Sequence, residues 1–503
     1  MSGVDRSRLL LAAVGLGALV RLWVMPLGSS LSLDEFGTWW VTNGRFDEIL
    51  SRARLFPQSV PYAAAVWLAR ALGGSSEIAL RLPSLLAAGL AVYCLYRLGL
   101  ELFDRNTGLL AAGIFVGFPQ ICFAAGDARP YAFAVLATIG ALWMLVRWLE
   151  RSRATDAFGY VLFATAAVYF QYLFATMFVV HAAYVIRRWR RGCGVPPRQL
   201  LLVAVGIAAL TAPAALLALE VGSDRALHAF GVMPDVKAVV LSLVPAGVLA
   251  ALLASFLVCW KLGLVGRRPH TPVWSKGFQE EKAARVPPRD ALWLLSLSAV
   301  VPAAILFMVS RVTGTSVFVS RYMMCMIPGQ ALLMAWFLRG VLPTRGQRAV
   351  VPGYLLILFL ARGLKIAHTG EDWRGAVAAL NVINGSHPVL MSGTYTESRN
   401  LDWVQDGKHV AYMRAPLDFY ATAGRAVILP LNVGRDAESY VEELLNSTPG
   451  LKDRFVLIER SSKFPSWAPW LDERLRPSGF RMRKVWDHGN PSAWVFERSV
   501  PHA

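Results

Sequence analysis

The sequence predicts a polytopic α-helical membrane protein with about eleven transmembrane helices, outer juxtamembrane helices and a small C-terminal α/β extracytoplasmic domain. Three observations predict it. The chain is 55% hydrophobic and 17% charged, with a mean hydropathy of +0.45, too apolar for a soluble multidomain protein. Apolar stretches of spanning length recur from Leu9 to Ile366. From about Glu371 the pattern changes to short strand-like runs alternating with amphipathic helices.

Leu9 to Leu27 follows Arg6 and Arg8 and lacks a small-residue cleavage site, so it reads as a retained signal anchor with its N-terminus inside. Ser32-Leu33-Asp34-Glu35-Phe36-Gly37-Thr38-Trp39-Trp40 then emerges outside. Trp39 to Arg54 is amphipathic, and Pro61 to Leu72 is apolar but too short to span; both read as helices lying on the outer surface. The further spans are Ile78 to Leu102, Thr107 to Phe123, Tyr131 to Trp148, Phe158 to Phe170, Leu173 to Ile186, Leu200 to Leu219, Val236 to Trp260, Leu292 to Val309, Tyr322 to Leu338 and Val350 to Ile366. An odd number of spans puts the C-terminal domain, residues 368–503, outside, after a membrane domain of residues 1–367 that includes the loop 28–77. In the C-terminal domain Val389 to Ser392, Ala426 to Leu431, Phe455 to Glu459, Met482 to Trp486 and Trp494 to Glu497 read as strands. Asp372 to Ile383 and Ala437 to Leu445 read as helices.

Charge supports this topology. The inside loops hold Arg147, Arg151 and Arg153; Arg187, Arg188, Arg190 and Arg191; Lys261, Arg267, Arg268, Lys276, Lys282, Arg285 and Arg289; and Arg339, Arg345 and Arg348. The short outside loops hold Arg225, Arg311 and Arg321. The net charge of +18 therefore follows the positive-inside rule, and no nucleic-acid partner is needed to explain it. The localisation read from this is a multi-pass protein of the cell inner (plasma) membrane. The cysteines, Cys94, Cys122, Cys193, Cys259 and Cys325, lie in or beside apolar segments at unrelated spacings and read as small hydrophobes.

Polar residues gather on the outer side. Asp34 and Glu35 follow the first span, Gly126-Asp127-Ala128-Arg129-Pro130-Tyr131 turns between the third and fourth, and Ser320-Arg321-Tyr322 opens the tenth. Carboxylates and guanidinium groups at a lipid boundary are costly to desolvate unless paired or functional. A carboxylate can deprotonate a hydroxyl nucleophile, and Arg can hold a phosphate by two hydrogen bonds and stabilise charge on a phosphate leaving group. The bland readings are a capping or solvated Asp34 and snorkelling Arg129 and Arg321. Tyr131, Tyr322, Trp39 and Trp40 fit an aromatic belt as well as sugar stacking. His181 reads as a packed histidine, and His228 near Asp224 lacks a spaced partner for a metal.

The ordered set Leu33-Asp34-Glu35, Ala79-Leu80-Arg81-Leu82-Pro83-Ser84, Asp127-Ala128-Arg129-Pro130-Tyr131, Ser320-Arg321-Tyr322 with Pro328, and Glu371-Asp372-Trp373-Arg374 resembles bacterial GT-C glycosyltransferases of the family-39 type. The resemblance is to the branch related to protein O-mannosyltransferases and the lipid A aminoarabinose transferase. It implies transfer of a sugar from a polyprenyl-phosphate carrier to an acceptor hydroxyl on the outer face, usually with inversion. The acceptor would be an envelope glycan, lipid or protein. Asp34 would be the general base, Glu35 its neighbour and Asp127 the second acidic residue, with Arg129 and Arg321 on the carrier phosphate and Tyr131 and Tyr322 counted in the substrate-binding set. Relatives often carry His or an acidic residue before the Pro-Tyr of the juxtamembrane helix, where this chain has Gln58-Ser59-Val60-Pro61-Tyr62, and many have His before a Tyr after the fifth span, where it has Gln171-Tyr172. Both departures weigh against a bound metal, so no cofactor is assigned and a divalent metal stays open. The rival classes are a lipid or sugar transporter (flippase), which would place ionisable groups near the bilayer midplane, and an inactive envelope scaffold.

Overall fold

The computed structural model describes residues 13–56, 58–223, 232–263, 286–361, 367–392, 394–431, 433–460 and 466–499. Arg6, Arg8, Asp224, Arg225, His228, Arg267, Arg268, Lys276, Lys282 and Arg285 lie outside the described residues. Packing divides the chain into a membrane unit, Met1–Leu27 with Arg81–Ile366, and a second unit, Gly28–Leu80 with Ala367–Ala503. The loop after the first helix, grouped by the sequence reading with the membrane domain, thus packs with the C-terminal segment.

Among the described residues six helices are long and apolar enough to cross a membrane, or up to eight if each of two bent helix pairs counts as one span. Each of the expected apolar segments is mostly helical where described, but not each is one unbroken span; Val236 to Trp260 is interrupted at Val244-Pro245. Thr107 to Phe123 breaks at Gly117-Phe118-Pro119 into Arg105–Val116 and Pro119–Ala125, bent by 73°. Proline at the start of the second helix cannot donate to the ladder of the first, and its ring disfavours helical backbone at Phe118. Leu173 to Ile186 opens as a 3-10 turn, Tyr172–Thr176, before helix Met177–Arg190. Ala154–Phe170 and Gly346–Ala361 are shorter apolar helices.

Small residues set the tightest helix packing. A Cβ on Gly99 would lie 2.6 Å from the Cα of Gly108, so helices Glu77–Leu102 and Arg105–Val116 approach through glycine. Several arginines assigned to the inside by charge counting are in fact paired. Asp290, fully buried, accepts from Arg187 at 2.7 Å, Arg188 at 3.0 Å and Arg191 at 2.6 Å. Arg188 also bonds Glu150, Arg151 bonds Glu101, and Arg147 meets Asp156 at 2.9 Å. Buried guanidinium groups need such partners because isolated charge in a low dielectric is costly. His181 is packed as expected, its Nδ1 3.2 Å from the Tyr160 hydroxyl. All five cysteines are free.

The second unit is built on a five-stranded sheet of order β2-β1-β3-β5-β4. The strands are β1 (Val389–Ser392), β2 (Ala426–Ile428), β3 (Arg454–Glu459), β4 (Phe480–Trp486) and β5 (Ser492–Arg498). β1 runs parallel to β2 and β3; β5 runs antiparallel to β3 and β4. All five match expected strands to within a few residues. β1 is buried at every position, which is why it reads as a continuous apolar run rather than an alternating one. Helices Trp373–Asn384 and Arg435–Ser447 fall where amphipathic periodicity puts them.

Helices Leu33–Thr42, Ile49–Leu55 and Val60–Gly73 belong to this unit. Trp39 and Trp40 are 7% and 9% exposed. Trp39 packs edge-on to Phe419 at 5.5 Å and Trp40 to Tyr412 at 5.7 Å. Neither lies in an aromatic belt: both rings fill the contact between this helix and the C-terminal segment. Phe36 meets Trp373, Phe419 and Tyr420 at 5.8–5.9 Å. Such edge-to-face pairs each add about 0.5–1.5 kcal/mol beyond the area they bury.

Candidate active site

Asp34 sits in the first turn of helix Leu33–Thr42, whose N-cap is Ser32 in extended backbone. Ser32 and Glu35 form a capping box, in which the Ser32 N–H donates to Glu35 Oε2 at 2.8 Å. Glu35 is therefore a fully buried positioning residue, while Asp34 is half-buried on the turn that Glu35 fixes. Glu35→Gln retains the acceptor and should fold and melt like the parent. Glu35→Ala should lose about 0.5–2 kcal/mol, read as a lower melting temperature of the purified protein.

Glu371 holds the same turn from the C-terminal segment. Its Oε2 accepts from the Leu33 N–H at 2.9 Å and from Trp373 Nε1 at 2.9 Å. Its Oε1 pairs with Arg460, also at 2.9 Å. Tyr395 donates its hydroxyl to the Leu33 carbonyl at 3.0 Å. Burial raises the Tyr395 phenol well above its usual pKa, and the charges of Asp34, Glu397 and Glu371 add to this; the hydroxyl stays a neutral donor beside Asp34. Tyr420 accepts from the Leu31 N–H at 3.0 Å and donates to Glu77 at 3.1 Å. Asp372 caps helix Trp373–Asn384 through the Gly375 N–H at 3.0 Å, and Arg374 bonds Glu77 and the Gly28 carbonyl. The Glu371-Asp372-Trp373-Arg374 motif is thus a bracket around the Asp34 turn. Removing it by Glu371→Ala should cost about 1.5–3 kcal/mol, the scale of hydrogen bonds to a charged group, measured as a loss of thermal stability.

Other neighbours complete this shell. Gln58, at one departure from the relatives' pattern, bonds the Thr38 hydroxyl at 3.0 Å. A ring nitrogen of His368 lies within 4.8 Å of a Glu35 carboxylate oxygen. Both residue types can ligate a divalent cation.

In the membrane unit the turn after helix Pro119–Ala125 carries Asp127, 2% exposed, and Arg129, half-buried. Ser84 donates to the Arg129 carbonyl at 3.2 Å. Tyr131, at the start of helix Tyr131–Arg151, is 3% exposed and packed in the apolar core, so it fixes the turn from below. Arg81, fully buried, donates to the Pro26 and Leu27 carbonyls at 3.1 and 3.0 Å. It places a cation at the helix end where orphan carbonyls gather. Arg321 opens the 3-10 segment Ser320–Met326 with its guanidinium 5.3 Å from the Tyr322 ring centroid. This segment packs against Pro119–Ala125 and Tyr172–Thr176. The Tyr172 hydroxyl feels the charges of both Arg321 and Arg129. Asp127 and Arg129 thus lie on one stretch and Arg321 and Tyr322 on another, distant in sequence, whose elements pack together in the membrane unit, and Asp34 and Glu35 belong to the second unit. Two guanidinium groups on segments packed together are suited to an anion such as a phosphate.

Sequence reasoning did not single out Tyr395, Arg460, His368 or Tyr420. None stands in a motif, and only their contacts with helix Leu33–Thr42 or with Glu371 reveal them.

Residues 58–216 match the family model of dolichyl-phosphate-mannose-protein mannosyltransferase. The structure is similar to that of ArnT from Cupriavidus metallidurans bound to undecaprenyl phosphate, with 13% identity, 98% of both chains covered and a TM-score of 0.56. The fold is the GT-C fold of this ArnT. The apo form of the same ArnT matches this GT-C fold equally, with 13% identity, 98% of each chain and a TM-score of 0.56. No curated protein matches the chain by sequence. The GT-C fold makes the chain a multi-pass membrane protein with a C-terminal α/β region, and its closeness in shape at 13% identity leaves the site residues to be argued from this chain's own geometry.

Proposed function

We propose that the protein transfers a sugar from a polyprenyl-phosphate-linked donor to an acceptor hydroxyl on the outer face of the inner (plasma) membrane, with inversion at the anomeric carbon. The observation that carries this reading is that the segment of Arg321, Ser320–Met326, packs against helix Pro119–Ala125, whose following turn holds Arg129, in a unit made of membrane-length helices. A paired guanidinium site at the membrane suits a lipid-borne phosphate. The similarity to a protein whose structure holds undecaprenyl phosphate supports the same donor class.

In this reading Asp34 takes the proton of the acceptor hydroxyl as its oxygen attacks the anomeric carbon. The bond from that carbon to the phosphate oxygen breaks, and the polyprenyl phosphate leaves with the bonding pair. Arg129 and Arg321 stabilise the charge growing on the phosphate. Tyr322 holds the Arg321 guanidinium, Tyr131 the Arg129 turn, and Asp127 is the acidic member of that turn. Glu35, Glu371 and Tyr395 position the Asp34 turn. In this reading the N-terminus is cytoplasmic and the C-terminal unit external, as the charge asymmetry supports. Glu35 and His368 are the residues that would begin a cation site, where a metal would add positive charge next to the base.

Purified protein in lipid, supplied with radiolabelled polyprenyl-phosphate sugars and an envelope extract, is expected to move label into the extract. Absence of transfer from every polyprenyl-phosphate sugar, with the protein folded, would overturn the reading. Repeating the assay with a chelator tests the metal.

A further inference from the structure

The C-terminal end of the Asp34 helix holds a feature that proton transfer at Asp34 does not use. A concavity of about 340 Å³ opens there, lined by Thr42, Asn43, Gly44, Trp67, Arg70 and Ala71. All six belong to the second unit. Its volume is at the lower end of the range for small-molecule pockets, enough for a monosaccharide unit and too small for a lipid chain.

The lining is preorganised. Trp67 Nε1 donates to the Gly44 carbonyl at 2.9 Å, and Phe46 meets the Trp67 ring edge-on at 5.2 Å. The indole is thereby fixed on two sides, while the residue remains half-buried and reachable. Arg70 bonds the Thr42 carbonyl, Asn43 Oδ1 at 2.9 Å and Ser75 Oγ at 2.6 Å. A second guanidinium, Arg52, donates to the Trp40 and Asn43 carbonyls at 2.9 Å each and lies 5.3 Å from the Trp40 ring.

The two arginines differ in one respect that matters. Arg52 is paired with Glu48 at 2.7 Å. Among the described residues Arg70 has no carboxylate partner; its acceptors are neutral carbonyl, amide and hydroxyl oxygens, and its buried Nε has none. Burial and, after it, the charge of Arg52 oppose the protonated form of Arg70. The partial negative charge of the helix end offsets only part of that cost. A pocket with an unneutralised guanidinium favours an anion, and one with a fixed indole and an exposed amide favours a sugar ring, whose apolar face stacks while its hydroxyls bond.

We infer that this pocket binds an anionic sugar residue of the acceptor glycan, seated on Trp67 with its acidic group toward Arg70. The assignment to the acceptor rests on the transferase reading; the binding itself does not. Asn43 lies nine positions beyond Asp34, roughly 13 Å along a helix. A short oligosaccharide can span that distance, so one acceptor could present a hydroxyl at Asp34 and an acidic residue here. The acceptor class narrows accordingly to an acidic envelope glycan.

The test uses the full chain in phosphatidylcholine nanodiscs, with glucuronate and glucose as probes read by saturation-transfer NMR. Glucuronate is expected to bind, glucose at least tenfold more weakly. Ala71→Trp, which fills the pocket from an exposed position, and Trp67→Ala should each weaken glucuronate at least tenfold. Asp34→Asn should bind glucuronate as the parent does. Equal binding of glucose and glucuronate, unchanged binding in Ala71→Trp, no binding of either sugar at millimolar concentration, or displacement of glucuronate when phosphatidylglycerol is added to the nanodisc would each overturn the inference. In the transfer assay Ala71→Trp should raise the KM for an acidic acceptor. If Asp34→Asn transfers normally while the pocket binds as described, the catalytic assignment fails and the pocket stands.

Discussion

Asp34→Asn should lower the rate of sugar transfer by about a hundredfold to ten-thousandfold, the range for loss of a positioned general base. Asn has nearly the same shape as Asp but cannot take the acceptor's proton. The substitution spares the elements that hold the turn, because the Ser32–Glu35 capping box and the Glu371 and Tyr395 bonds to Leu33 do not use the Asp34 side chain. Melting temperature should therefore match the parent, and the loss should appear in kcat rather than in KM for the donor. A normally folded Asp34→Asn protein that transfers at the parent rate would remove Asp34 from the chemistry. The contrast with Glu35 is informative, since Glu35→Gln preserves a cap whereas Asp34→Asn removes a base.

Arg321→Ala should reduce transfer by about a hundredfold to a thousandfold, the scale for removing one donor to developing negative charge. Arg321→Lys keeps the charge but loses the planar fork that meets two phosphate oxygens, so it should fall between the parent and the alanine variant. Arg129→Ala should behave similarly. The double variant should lose less than the product of the single losses, because both groups serve one phosphate and such residues are not additive. Polyprenyl phosphate added as a product inhibitor should bind more weakly to each variant. Unaltered product inhibition in Arg321→Ala and Arg129→Ala would show that neither arginine holds the phosphate.

The two variants separate the two units. Asp34 is set by contacts within the second unit, and Arg129 with Arg321 by helix packing in the membrane unit. A lesion of Glu371 should lower the stability of the Asp34 turn without altering product inhibition. A lesion of Arg321 should do the reverse.

Much of this was legible in sequence because it rests on local pattern. Apolar stretches of membrane length give helices, since backbone polar groups in lipid must be satisfied within the segment. The strands of the C-terminal segment announce themselves by short apolar runs between turn residues, and β1 and β3 fall within a residue of where that pattern places them. The Asp34-Glu35 pair, the Asp127-Ala128-Arg129 turn and Arg321 stand out as charge beside apolar runs. Span length was less legible, because a count of apolar residues passes over the break at Gly117-Phe118-Pro119, where Pro119 ends one helix and starts the next.

The sequence by itself determined the class of protein, the position of its strands and the residues that carry charge at the ends of apolar segments, all properties of neighbours along the chain. Only the tertiary structure decided that residues 28–80 fold with the C-terminal segment, that Trp39 and Trp40 are core rather than belt, and that Glu371, Tyr395 and Arg460 secure the Asp34 turn. These contacts join positions more than 300 residues apart or link residues without motif. Their energy comes from desolvated hydrogen bonds and ring packing that exist only once the distant segments meet.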